Sequence, residues 1–475
     1  MDPPPPVAKH QPRLWVALAA RLGSEPGSTP LVLRSGSGTL RLLDGAGRRW
    51  SAPQFTLQWQ ALALSEPLTL HRLVAGPFAS FETAEHRAEQ WRALGAAVTI
   101  ARPGEWELWA PLGSAVPQGW SVRQLNQRLQ RAVVPALMRP AQAPLPLAGP
   151  LLIEAPGGLR WNGGVYAGPF RLQRDAHGSW SLVEQVPLER YLEGVVPHEI
   201  GASAPAAALA AQSVLARTWA LRNQHRYQAD GYHLCASVQC QVYGDPSLAG
   251  AAVRAAIRAS SGLLLTWQGQ PIHAVYHASN GGVAAPLEEA WEASPLAYLK
   301  PGWDSSPPAP NLTPLAAPVA SLGAVLQSQA FVGHDHPRFR WSRWLSSQQL
   351  AESLAQQGLS VGAVQRLRVL ERGLSGRVLA LAIEGSTGRA VLRRDSIRRT
   401  LRSLPSTLFE LRQQGVGRWQ LLGGGFGHGV GLSQAGAIDL GRRGWLFRRI
   451  LERYYPGTQL QSWQQLAASR LGGDP

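Results

Sequence analysis

The stretch Val186–Ala220, VPLERYLEGVVPHEIGASAPAAALAAQSVLARTWA, constrains this chain most. Its alanine-rich second half has high helix propensity, Pro205 suits a first helical turn, and Ser203 is placed to cap it. A helix is therefore expected, with Glu199 in the loop leading into it. Ala206, Ala210, Ser213 and Arg217 fall on one line at helical spacing. Small side chains let other backbone approach closely, and a guanidinium at the end of such a line needs a carboxylate or similar partner if it is buried. Glu199 is a candidate partner. The alternative has Leu215 and Trp219 as the core face and Arg217 solvated.

A chain of 475 residues exceeds the usual single-domain size and can bury a large core. The net charge of +16 invites a nucleic-acid reading, yet the cations are almost all arginine, Lys9 and Lys300 being the lysines. Alanine, glycine, proline and leucine are abundant too, as under a GC-rich coding bias. The densest basic run, Arg393-Arg394 through Arg398-Arg399 and Arg402, reads as the solvated face of a helix. No helix-turn-helix, RRM or zinc-finger pattern supports a nucleic-acid partner. Other polyanionic surfaces suit a basic protein as well. The N-terminus, MDPPPPVAKHQPRLWVALAARLG, shows no signal peptide. No run reaches the ~18–20 apolar residues of a transmembrane segment.

Taken in order, residues 1–12 read as a disordered tail and 13–66 as a β segment built from LWVALAA, PLVLR, GTLRLLD and FTLQWQALAL. Residues 67–138 read as a small α/β module: strand, turn, a helix that Thr83 could cap, a strand, and a second helix over Ser121–Leu137. Residues 139–150 read as a linker. The main domain spans 151–465, with a loop insertion near 305–335 and a tail at 466–475. Short strands mixed with helices, without regular βαβ alternation, make the fold class α+β, with a helical catalytic region beside small antiparallel sheets.

His233, Cys235 and Cys240 form a compact donor set of the kind zinc prefers; the alternatives are two structural thiols or a local disulfide. His273 or His277 are candidates for a fourth ligand. Pro271–His277 reads as the second strand of a hairpin that delivers YHASNGG to its end, with Tyr276 and His277 on opposite faces. In GGGFGHGVGLSQAGA, glycines surround a single imidazole, His428, and permit close packing and positive φ. Ser433 would cap the following helix, leaving Gly431–Gln434 as free N–H donors for a sugar hydroxyl or an oxyanion. The stretch fits neither GxGxxG nor a P-loop, so nucleotide binding is unsupported.

VPLERYLEGVVPHE, AAQSVLARTWA, CQVYGD, YHASNGG and GHGVGLSQAGA occur in this order, and together they resemble the SpoIID/LytB family of sporulation and cell-wall proteins over roughly 186–457. The resemblance implies a cell-envelope or periplasmic location and peptidoglycan glycan strands as the substrate, preferentially denuded ones. It implies a cleft lined by Gln241 and Tyr243 of the QVYG match, by Tyr276 or Ser279, and by Arg217, His428, Ser433 and Gln434. In the family the cysteine region can carry zinc, often with a histidine directly before the second cysteine; here Gln239 stands there. Residues 71–101, with a GPF turn, a helix and a Gly95 stop, resemble half of a glycan-binding SPOR module.

Glycoside hydrolysis typically needs two carboxylates. A lytic transglycosylase manages with one, because the muramic C6 hydroxyl replaces water, and Glu199 is the expected acid/base. Such an acid must stay protonated near neutral pH, which burial favours and an arginine in contact opposes. Arg217 is thus expected to hold substrate or a second carboxylate. No cofactor is required for this chemistry. The expectation from another class is a non-catalytic glycan-binding activator of a cell-wall amidase. A nucleic-acid binder would need strong retention of duplex DNA at moderate salt.

Overall fold

The computed structural model describes residues 4, 5, 7, 12–305, 319–401 and 404–464. Most of the expected 1–12 tail, the core of the 305–335 insertion, Arg402 and the 466–475 tail lie outside the described residues. Inside the insertion, Val319–Gln327 is helical. At the N-terminus Val7 is buried and its N–H donates to Gln224 Oε1 at 2.8 Å, which corrects the reading of that position as disordered.

Alternating apolar side chains make the first part of the chain a set of strands. They are β1 (Arg13–Leu22), β2 (Leu31–Ser35), β3 (Leu40–Leu43), β4 (Arg49–Ala52) and the long β5 (Gln54–Phe78). Helix α1 (Phe81–Arg92) follows, with Ser80, not Thr83, as its cap. Next come β6 (Thr99–Ala101), β7 (Trp106–Ala110), β8 (Val122–Arg139) and β9 (Gln142–Pro146). The helix expected at Ser121–Leu137 is β8 instead, paired antiparallel with β5 from Leu57↔Leu137 to Ala75↔Val122. Its β-branched and polar residues extend a sheet edge that was already there, and tertiary pairing overrides the helical spacing. The expected linker contains β9, which hydrogen-bonds to β8. In the segment that resembles half of a SPOR module, GPF ends β5 instead of forming a turn, α1 follows it, and a strand stands where the second helix was expected.

Strands β10 (Leu151–Glu154), β11 (Leu159–Trp161), β12 (Gly164–Tyr166), β13 (Phe170–Arg174) and β14 (Trp180–Pro187) lead to the helices. A seven-stranded sheet runs β15-β1-β14-β13-β10-β3-β4, where β15 is Leu234–Cys235. Strands from both ends of the first 187 residues therefore share one sheet and one core, with Leu14, Val16, Leu42, Ile153, Phe170 and Leu182 buried together. The mixed architecture agrees with the α+β class.

Helix α2 (Leu188–Val196) is continued by a π-helical turn, Pro197–Gly201, before α3 (Ala206–Arg222). Helix α3 is buried from Ala208 through Leu221, so its small residues serve close packing on all sides and not one stripe. Pro205 is its N-cap and Ser203 makes no cap hydrogen bond, because the π turn brings the chain in from α2. Helix α4 (Ala251–Ala259) packs beside it. No helix among the described residues is long and apolar enough to cross a membrane.

Candidate active site

Glu199 lies in the π turn that prolongs α2, not in a loop before α3. Its half-buried carboxyl accepts the Val242 N–H at Oε1, 2.9 Å away, and Oε2 has no protein partner among the described residues. Burial pushes its pKa up, against the lowering effect of that N–H.

The opposite wall comes from two distant stretches. Tyr276-His277 pairs in parallel with Leu432-Ser433, and bridges Ser279↔Phe426 and Ala285↔Val430 extend the join. This lays YHASNGG along the glycine-rich segment. His428 Nε2 donates to the Tyr276 carbonyl at 2.9 Å, while Nδ1 accepts the Val430 N–H at 3.1 Å. Both nitrogens are thereby used, and burial, with Arg398 nearby, lowers its pKa to about 3. His428 is a neutral wall residue. Its ring lies 4.7 Å from that of Trp291 and 5.1 Å from that of His277.

Glu199, Tyr276, His428 and Gln434 line one cavity of about 460 Å³. Phe81, Trp219, Trp291 and Phe426 add aromatic surface to it. Glu82 is the one other carboxylate on the lining, and it is paired with Arg226 at 3.0 Å. Sequence reasoning missed the contribution of α1. Asp395 fixes that helix over the cavity by accepting from Ser80 Oγ at 2.6 Å and Thr83 Oγ1 at 2.9 Å. These contacts join residues more than 300 positions apart and leave no local signal.

Several expected site residues stand elsewhere. Arg217 is buried and forms a two-pronged pair with Glu189, Nε to Oε1 at 2.7 Å and Nη2 to Oε2 at 2.8 Å. It borders a separate hollow with Leu188 and Leu221, so it neither pairs with Glu199 nor reaches the cavity. Gln241 is buried behind the wall, donating to the Tyr276 hydroxyl at 2.9 Å and accepting from Tyr191 at 3.1 Å. It positions Tyr276. Tyr243 donates to Glu184 at 2.9 Å and borders a neighbouring hollow.

Ser279 is buried, with its hydroxyl accepting the Gly281 N–H at 3.3 Å. Ser433 caps the helix Gln434–Arg442, as its position suggested. The Gly431–Gln434 donors are not free as a set, because the Leu432 N–H is given to the Tyr455 hydroxyl at 3.1 Å.

The zinc reading does not fit. Cys235 and Cys240 are joined as a disulfide, and both ring nitrogens of His233 are engaged, by the Trp15 N–H at 2.9 Å and the Pro5 carbonyl at 2.8 Å. Among the described residues no group of three or more His, Cys, Asp or Glu side chains could hold a metal. The crosslinked loop instead brings Val238, Gln239 and Cys240 to the cavity mouth.

The SpoIID family model, described as Stage II sporulation protein, matches residues 176–267, which contain Glu199 and both cysteines. Over that stretch the chain is similar to the SpoIID family. A second family model, a domain of unknown function (DUF8618), matches residues 285–431 and includes His428. An amidase enhancer of Bacillus subtilis is 27% identical over 304 residues, 57% of this chain and 40% of that protein. Stage II sporulation protein D of Bacillus subtilis is 26% identical over 296 residues, 58% of this chain and 75% of its own. The Bacillus amyloliquefaciens protein of that name is 28% identical with the same coverage, 58% and 75%. The match thus spans less than half of the amidase enhancer's length.

Proposed function

We propose that this protein is a member of the SpoIID/LytB family that works on the bacterial cell wall as a lytic transglycosylase, cutting the MurNAc–GlcNAc bond of glycan strands. The observation that supports this reading is a cavity with one unpaired carboxyl, Glu199, whose free oxygen faces it and whose pKa burial raises.

The protonated carboxyl gives its proton to the leaving GlcNAc O4 as the C1–O4 bond breaks. The carboxylate then takes the proton of the muramic C6 hydroxyl as O6 bonds to C1, closing a 1,6-anhydro ring. Protons balance, no water is consumed, and no metal or cofactor enters the scheme. The Val242 N–H, aimed at Oε1, stabilises the carboxylate between the two transfers. Aromatic rings at Phe81, Trp219, Trp291 and Phe426 suit the apolar faces of sugar rings, and neutral His428 fixes Tyr276 without adding charge.

A second reading is favoured by the similarity to the amidase enhancer: a glycan-binding activator of a cell-wall amidase, with Glu199 as a binding group. Both readings place the protein in the cell envelope. Mass spectrometry of digested sacculi separates them. Anhydro-muramyl ends made by the wild type and lost in Glu199→Gln support the transglycosylase. Glycan binding without new ends, together with faster amidase release, supports the activator.

A further inference from the structure

The cavity holds positive charge that the protein leaves unbalanced. Of the arginines on its lining, Arg226 is matched by Glu82. Arg398, on the short helix α5 (Asp395–Thr400), has no ion pair or side-chain hydrogen bond among the described residues, and its Nε is buried without a partner. The carboxylate three residues earlier, Asp395, is turned away to Ser80 and Thr83. Its helical neighbours differ: Arg399 bonds Glu105 at 2.6 Å and Arg394 donates to the Glu288 carbonyl at 2.8 Å. Arg338, on the exposed rim, lies over the Phe426 ring at 4.5 Å and likewise has no carboxylate partner.

An unmatched guanidinium withdrawn from water is costly unless something occupies its fork of donors. The fork matches a carboxylate with two parallel hydrogen bonds. Glu199 does not supply that carboxylate, since its one protein partner is Val242.

We propose that Arg398, assisted by Arg338 from the rim, binds a carboxylate of the glycan: the lactyl carboxylate that a muramic residue carries when no peptide is amide-linked to it. This rests on the glycan-strand reading and adds to it a residue that selects the charged sugar. A peptide amide at that position offers neutral acceptor chemistry and more bulk, so Arg398 discriminates at the level of one functional group.

The test uses the full chain carrying Glu199→Gln, so that turnover does not consume the probe, with the fluorescence of Trp219 and Trp291 on the lining as readout. The probes are a peptide-free tetrasaccharide of alternating GlcNAc and MurNAc, and the same molecule with its lactyl carboxylates converted to amides. The acid is expected to bind about ten-fold more tightly than the amide, the scale of a charge-assisted hydrogen bond. Arg398→Gln brings the acid down to the amide's affinity and leaves the amide unchanged, while Arg398→Lys falls between.

Equal binding of acid and amide by the Arg398 protein overturns the proposal without any need for the Arg398 variants. So does Arg398→Gln weakening both probes alike, or no binding of either. If the Glu199 protein makes no anhydro ends yet the acid-over-amide preference is present, the transglycosylase reading falls and the carboxylate site stands. If ends form at equal rates from both probes, with or without Arg398, the site falls and the transglycosylase reading stands.

Discussion

The Val242 N–H meets Oε1 of Glu199 at 2.9 Å, so the acid of the cavity is steadied by backbone, not by a basic side chain. Under the proposed transglycosylase reading, that choice of partner resolves the conflict between an acid that must be protonated and an arginine that would ionise it. Arg217, twenty-eight positions from its carboxylate partner, is spent on Glu189.

Replacing Glu199 by Gln is expected to lower strand cleavage by about 10²–10⁴-fold, the range for a positioned general acid. The pH dependence of stability follows from the raised pKa. A carboxyl whose pKa rises on folding contributes stability that is full below the ordinary carboxylate range and is lost as pH climbs through the raised value. Glu199→Gln, neutral at every pH, should therefore melt at or above the wild type at pH 7, and the gap should close near pH 4. A variant that melts well below wild type at pH 7 would show that the carboxylate holds the fold.

Arg217 predicts a different pattern. Glu189→Gln leaves a buried guanidinium with the Leu263 carbonyl at 3.1 Å and the Ser213 carbonyl at 3.4 Å as its acceptors. Glu189 is partly exposed, so the expected loss is about 1–3 kcal/mol. Denaturant titration reads that loss, and glycan affinity should be unchanged. A drop in affinity at unchanged stability would return Arg217 to the substrate.

Three deeply buried histidines contribute to the acid side of the stability profile. Burial lowers the pKa of His273 to about 4 and of His428 to about 3, and it lowers that of His277 as well. Each is held neutral by the fold, so the unfolded chain takes up the extra protons as pH falls below the ordinary value near 6.5. The slope approaches about 4 kcal/mol per pH unit if all three act together. Melting followed from pH 7 to pH 4 should show this fall, and His428→Asn should flatten it. An NMR titration in which the His428 ring protonates near pH 6.5 would contradict its burial.

Reducing the Cys235–Cys240 bond should cost about 2 kcal/mol, the loop-closure value for so short a span. It should also weaken glycan binding, since Val238, Gln239 and Cys240 line the cavity. Dithiothreitol in a thermal melt and in a binding titration checks both. Chelator should leave the oxidised protein's melting temperature unchanged; stoichiometric zinc with a chelator-sensitive melt would restore the metal reading.

Local chemistry made part of this molecule legible before any coordinates. Ser433 caps its helix as its position suggested, because a cap is decided within three residues. The alternating runs of the N-terminal part form strands. Where pairing reaches across the chain, the sequence misled: β8 was read as a helix because its spacing fits one, and only the neighbouring β5 makes it a strand.

The sequence by itself determined the helix α3, the Ser433 cap and the glycine run around a single imidazole. Tertiary structure decided the partners. Glu189 for Arg217, Tyr276 for His428 across 152 positions, and, among the described residues, none for Arg398 Nε follow from which elements pack together. The reason is physical: helix propensity and capping are energies of neighbouring residues, whereas a charge takes its partner from whatever the packed core brings within about 3 Å.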